Sequence, residues 1–153
     1  MKYAYFPGCS IHHSTAKEYE ISCLAVSKVL GVELEEIPGW NCCGSIDAVY
    51  AYDRIASLAL AGRNFVLAEK ISPNIVTLCS ACFFTLSRAR KMLQGDSDAR
   101  EQVRKVYNVQ VGSGDLRIRH FLDILINDVG YSEIAKHVKA PLKDVNAASY
   151  YGC

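Results

Sequence analysis

The chain has 153 residues, half of them apolar and 22% charged, which suits one globular domain with a real core rather than a disordered segment. Seventeen Lys and Arg against 16 Asp and Glu exclude the strongly basic surface that nucleic acid or an anionic membrane requires. No apolar run approaches the roughly 20 residues of a spanning helix, and the opening Met1-Lys2-Tyr3-Ala4-Tyr5 lacks the layout of a secretion signal, so a cytoplasmic protein is expected.

Lys2 to Phe6 is β-prone and ends at Pro7-Gly8, a strand running into a loop that carries Cys9. The capping box Thr15-Ala16-Lys17-Glu18 predicts a helix whose apolar stripe is Tyr19, Cys23, Val26 and Leu30, stopped by Gly31. Val32 to Ile37 reads as a second strand closed by Pro38-Gly39. The loop Trp40-Asn41-Cys42-Cys43-Gly44-Ser45 leads to a long helix over about Tyr52 to Lys70, with Ile55, Leu58, Ala59, Gly62 and Val66 on one face. Asn74 to Leu78 is an apolar run expected to be a strand buried on both sides. Cys79-Ser80-Ala81-Cys82 opens the next helix, with Cys82, Leu86, Ala89 and Leu93 inward and Arg88, Arg90 and Lys91 as a solvated face. A charged helix over about Asp96 to Tyr107 and a weak strand near Val109 follow. After the turn Gly112-Ser113-Gly114, the stripe Ile118, Phe121, Leu122 and Leu125 predicts another helix. A short helix around Ser132 to Val138 and a last strand from Val145 to Tyr151 complete the series.

Strands alternating with helices predict an α/β fold, a parallel Rossmann-like sheet flanked by helices. Three cysteine groups fall just after three successive strands, which gathers them at the carboxyl edge of the sheet, where open α/β sheets build their sites. The chain ends Tyr150-Tyr151-Gly152-Cys153, echoing Tyr5-Phe6-Pro7-Gly8-Cys9, so residues 1–153 are expected to be one domain, the N-terminal half of a tandem duplication.

Seven cysteines are an odd and high number for a cytoplasmic chain, where thiols are more often metal ligands, redox groups or core residues than disulfides. Cys9, Cys42, Cys43, Cys79 and Cys82 form a pattern of one cysteine, an adjacent pair and a Cys-x-x-Cys. Soft thiolates at loop–helix junctions suit iron–sulfur chemistry, because backbone N–H groups and the positive helix end favour thiolate over thiol. Adjacent cysteines diverge too much to share one tetrahedral ion comfortably, yet can bind different irons of one cluster. Five ligands also exceed the four of an ordinary cubane. Cys23 lies mid-helix and reads as core. His12 and His13 read as solvated, His120 as partly exposed packing and His137 as surface; Trp40 is either a cluster shield or a buried aromatic.

Tyr3 or Tyr5 with Pro7-Gly8-Cys9, then Gly39-Trp40-Asn41-Cys42-Cys43-Gly44 and Cys79-Ser80-Ala81-Cys82, resemble the cysteine-rich CCG domain family, as found in the B subunit of the heterodisulfide reductases of methanogens and related anaerobes. The resemblance implies a noncubane 4Fe–4S cluster on Cys9, Cys42, Cys43, Cys79 and Cys82, with Cys153 matching the first ligand of a second domain. Two such clusters would cleave the disulfide of coenzyme M and coenzyme B, so this chain alone should not perform the full reaction. Partners implied are the iron–sulfur C subunit and the flavin-containing A subunit, or a membrane-associated counterpart; zinc has also been associated with such domains. Three rival readings stand beside it: a thioredoxin-like dithiol built on Cys79 and Cys82, a structural zinc module, and a CCG electron-transfer component of a lactate, glycolate or succinate oxidoreductase.

Overall fold

The first strand, β1 (Lys2–Phe6), alternates its side chains between two layers: Tyr3 and Tyr5 face one side, Ala4 and Phe6 the other, and all four are buried. The computed structural model describes residues 1–14, 16–44, 47–112 and 114–149, with the backbone alone for Asp47, Ala48 and Tyr50. In chain order the elements are β1, α1 (Cys9–His13), α2 (Lys17–Val29), β2 (Glu33–Glu36), α3 (Asp47–Tyr52), α4 (Arg54–Ala68), β3 (Asn74–Thr77), α5 (Ser80–Gly95), α6 (Ser97–Tyr107), β4 (Arg117–His120), α7 (Phe121–Ile124), a π-helical turn (Leu125–Val129) and α8 (Tyr131–His137).

The four strands form one sheet in the order β2-β1-β3-β4 with every pairing parallel. Ala4 stands opposite Ile75, and Val76 opposite Arg119. One layer packs Ala4, Phe6 and Ile75 under Leu58, Phe65, Leu86, Leu93 and Val103 from α4, α5 and α6. The other packs Tyr3, Tyr5 and Val76 against Cys23 of α2 and Phe121 and Ile124 of α7. The edge strand β2 carries Glu33, Glu35 and Glu36, all exposed, with Lys2 bridging to Glu35 at 2.6 Å.

The α/β class and the parallel sheet are as the sequence predicts. The first strand matches residue for residue, and the stripe Cys82, Leu86, Ala89 and Leu93 is the buried face of α5. Four details differ. Cys9 opens a short helix rather than sitting on a loop. The inward face of α2 is Glu20, Cys23 and Ser27, whereas Tyr19 and Val26 are both exposed, because this face meets the Tyr5 hydroxyl rather than a purely apolar surface. Ile118 belongs to a strand: the edge of β3 recruits Arg117–His120 by backbone pairing, so the helix begins only at Phe121 and leaves Leu122 exposed. Among the described residues no strand forms near Val109 or over 145–149. On α5, Arg88 and Lys91 are exposed and Arg90 is half-buried. The capping role of Thr15, the turn residue Ser113, Ser45 and the closing Tyr150-Tyr151-Gly152-Cys153 lie outside the described residues.

Candidate functional site

Because all four strands run the same way, their carboxyl ends share one rim. β1 delivers Pro7-Gly8-Cys9 there, β2 the Trp40-to-Gly44 loop, β3 Leu78-Cys79 and β4 His120. From β1 the chain moves outward to β2, then crosses back past β1 to β3, so β1 and β3 flank the switch point of the sheet, the place where such folds leave a crevice.

The five cysteines named from the sequence converge on this rim. Cys9 Sγ lies 3.9 Å from Cys42 Sγ, and Cys43 Sγ lies 3.4 Å from Cys82 Sγ. Cys79 is the N-cap of α5, its sulfur accepting the backbone N–H of Cys82 at 3.5 Å. Exposure is graded: Cys9 is exposed, Cys42 and Cys79 are half-buried, and Cys43 and Cys82 are 2% and 4% exposed. Cys23 stays in the core on the inner face of α2, as expected. Among the described residues no group of three or more His, Cys, Asp or Glu closes around a single metal ion. The sulfurs form two close pairs beside Cys79 rather than one shell.

Backbone geometry permits this convergence. Gly8 has φ +78°, and a Cβ there would lie 2.9 Å from Cys82 Sγ and 3.9 Å from Cys79 Cβ, so the β1 loop passes directly over the Cys-x-x-Cys. Gly44 has φ +83°, and a Cβ would meet both Ser57 O and Ser57 Oγ at 3.0 Å. The Ser57 hydroxyl donates to Gly44 O at 3.1 Å.

Helix α4 clamps the Cys-Cys loop. Asn64 is fully buried; its Oδ1 accepts Asn41 N–H at 3.0 Å and its Nδ2 donates to Asn41 O at 3.0 Å. Asn41 in turn donates from Nδ2 to Cys42 O at 2.8 Å, and Arg63 Nη1 donates to Gly39 O at 2.8 Å and to Asn41 Oδ1 at 2.7 Å. Sequence reasoning missed Ser57, Arg63 and Asn64. The available signal was a serine and an asparagine set among the apolar residues of a buried helix face.

The thiols differ in acidity. The hydrogen bond from the Cys82 thiol lowers Cys79 to about 5, against the effect of burial and with help from the N–H groups of Cys82 and Ala81. Cys82 is pushed up by its hydrogen bonds to Cys43 and Cys79 and by burial. Burial raises Cys42, opposed by the N–H of Gly44.

Histidines and one indole complete the rim. Trp40 packs edge-on against Phe6 at 5.6 Å and against His12 at 5.7 Å, stacks on His13 at 6.3 Å, and donates from Nε1 to Glu36 at 2.9 Å. His120 is more than packing. Its Nδ1 accepts Leu122 N–H at 3.2 Å, which leaves Nε2–H to donate to Leu78 O at 3.1 Å, fixing the peptide just before Cys79. His137 pairs with Glu133 at the surface, as expected.

Similarity to known proteins agrees with this rim. The cysteine-rich domain family, CCG, matches residues 3–87, the span that holds all five thiols. The chain is 35% identical over 155 aligned residues to the 8-methylmenaquinol:fumarate reductase membrane anchor subunit of Wolinella succinogenes, covering 99% of this chain and 52% of that protein. It is 27% identical to a protein of Archaeoglobus profundus described as like the heterodisulfide reductase B subunit, covering 100% of this chain and 52% of that one. Against the B subunit of the Ferredoxin/F(420)H(2)-dependent CoB-CoM heterodisulfide reductase of Methanosarcina acetivorans identity is 28%, with 99% and 51% covered. The chain thus spans about half the length of the curated relatives it matches, which are reductase components or resemble one. With a parallel α/β sheet, a glycine-hinged Cys-Cys-Gly loop and a Cys-x-x-Cys meeting at one rim, the chain belongs to the cysteine-rich CCG domain family.

Proposed function

We propose that the chain is the cluster-holding module of a larger oxidoreductase component, carrying one noncubane 4Fe–4S cluster on Cys9, Cys42, Cys43, Cys79 and Cys82. The observation that supports this reading most is the pairing of Cys9 with Cys42 and of Cys43 with Cys82, which ties the segments that follow β1, β2 and β3 together through sulfur alone. Such a donor set fits the group: the donors are soft, more numerous than one ion needs, and graded from buried to open. A bound cluster would supply one-electron chemistry and iron positions able to accept a sulfur ligand. The chain's own residues do the rest. Cys79 is poised as a thiolate at the N-terminus of α5, the Asn64–Asn41 clamp holds the vicinal pair, and the Phe6–Trp40 pair shields one flank from water.

On the heterodisulfide reductase reading, the full-length protein has a second module of the same kind, opened by Cys153. It works in the cytoplasm with the iron–sulfur C subunit and the flavin-containing A subunit, or a membrane counterpart, to split the disulfide of coenzyme M and coenzyme B. Relatives of twice this chain's length support that reading. A second reading, electron transfer within a fumarate or succinate system, is favoured by the 35% identity to the fumarate reductase protein.

Anaerobic expression tests the common core of both. The expected product is brown, with about four irons per chain and five protected thiols. Cys42→Ala or Cys43→Ala abolishes the colour, whereas Cys23→Ala leaves the spectrum unchanged. Equal loss in all three variants overturns the ligand set. A colourless protein with one zinc makes it a zinc module, and a metal-free protein that reduces insulin makes it a dithiol enzyme. Assaying the whole assembly with the heterodisulfide and, separately, with fumarate and a menaquinol separates the two redox readings.

A further inference from the structure

Beside the cysteines lies a set of ionisable groups that a thiolate-held cluster leaves unused. Glu20, on the inner face of α2, is 5% exposed. It accepts the Tyr5 hydroxyl at 2.7 Å, and each of its oxygens lies 3.3 Å from His12 Nδ1. A carboxylate is buried at great cost unless donors surround it, and these two side chains are the donors. Burial, reinforced by the hydrogen bond to Glu20, raises the Tyr5 phenol far above its ordinary range, so Tyr5 remains a donor. A carboxylate only accepts, so the hydrogen of the His12–Glu20 contact sits on Nδ1 and the exchangeable nitrogen is Nε2.

The position of this imidazole matters. His12 follows Cys9 by three residues on α1, so both share one side of that turn. Trp40, edge-on to the His12 ring, precedes Cys42 by two residues, and the sulfurs of Cys9 and Cys42 are in contact. His12 therefore stands at the open side of the site, its side chain one-third exposed, within reach of water. The charged or titratable groups around it are Glu20 from α2, Tyr5 from β1, His13 and Cys9 from α1 and, through Trp40, Glu36 of β2.

We propose that His12 is the proton-coupled group of this redox site, with Glu20 as its positioning residue. An electron arriving from a reduced iron–sulfur or flavin carrier adds negative charge beside the imidazole, and one proton moves from water to Nε2. One electron and one proton enter, no covalent bond between heavy atoms changes, and the net charge of the rim is preserved. This rests on the cluster-holding reading above and holds whether the final acceptor is a disulfide or a quinone-linked carrier.

Two measurements test it. In the metal-free, reduced chain, nitrogen NMR of labelled histidine is expected to show neutral His12 protonated on Nδ1, reverting to the Nε2–H form in Glu20→Gln and recovering in Glu20→Asp. In the anaerobically iron-loaded chain, redox titrations between about pH 5 and pH 8 are expected to give a midpoint potential that falls as pH rises. His12→Gln removes that dependence with iron content and optical spectrum unchanged, and His13→Gln retains it. An Nε2–H tautomer in the parent chain, a pH-independent parent potential, or an unchanged dependence in His12→Gln overturns the proposal. Failure to hold iron at all is a different result and overturns the cluster-holding reading instead.

Discussion

Gly8 occupies a position that no other residue fills without cost. Its φ of +78° disfavours any side chain, and a methyl there would press on Cys82 Sγ at 2.9 Å. Gly8→Ala is expected to lower stability by about 1–3 kcal/mol in a urea melt and to reduce iron occupancy in anaerobic reconstitution, because the strained loop and the buried sulfur move together. The cysteines themselves were legible from the sequence: their spacing after predicted strands named all five, and the rim brings all five together. The supporting residues were not. Asn64 and Ser57 look like interruptions of an apolar stripe until the loop they bind is in place, and Glu20 looks like a solvated helix charge until Tyr5 is seen to donate to it. His120 looks like partly exposed packing for the same reason, since its bond to Leu78 O exists only once β3 and β4 pair, while its other bond, to Leu122 N–H, is the local cap of α7.

Elements form as their local signals dictate where burial and pattern coincide, as in α5, whose inward residues recur at helical spacing behind the Cys79 cap. They escape prediction where partners supply the driving force. The segment Arg117–His120 holds two arginines and one histidine, poor credentials for a strand, but the open edge of β3 satisfies its backbone groups. Arg119 then ties this strand to α7 and the π-helical turn, donating to Asp123 and to Asp128 at 2.5 Å each, while Tyr3 of β1 donates to Asp128 as well. The hydrogen bond from Arg119 holds the Asp128 carboxyl below its ordinary 3.8. A depressed carboxyl stabilises the fold above the unfolded value, and that contribution is lost as pH falls through the folded one. Asp128→Asn is therefore expected to cost on the order of 2 kcal/mol at neutral pH, the gap from the parent closing in strongly acidic buffer; melts across pH check this. The α4 clamp offers a parallel case: Asn64→Leu leaves Asn41 N–H and C=O unpaired, a loss of roughly 1–3 kcal/mol, and is expected to release the Cys42–Cys43 loop, seen as faster thiol alkylation at Cys43.

At the scale of the whole molecule, one direction of strand travel gathers the five cysteines at a single rim. The starts of α1 and α5 and the Cys42–Cys43 loop between them contribute sulfur, so metal binding should act as a cross-link between segments as far apart as Cys9 and Cys82. Stripping the metal with a chelator is expected to lower the melting temperature measured anaerobically, by about 2–4 °C for each kcal/mol of lost stabilisation, with the Cys23→Ala variant responding like the parent. The sheet order itself was beyond the sequence, because parallel pairing fixes the class but not which strand neighbours which.

The acidic row on β2 bears on how this protein behaves when concentrated. A peripheral strand with unpaired amide and carbonyl groups invites lateral addition of another extended chain, the first step toward insoluble fibrils. Glu33, Glu35 and Glu36 line that margin, with Lys2 neutralising only part of the charge. An incoming copy would bring three like charges against three, so electrostatic repulsion guards the flank that hydrogen bonding leaves open, and replacing the glutamates with threonine should turn a clear solution cloudy.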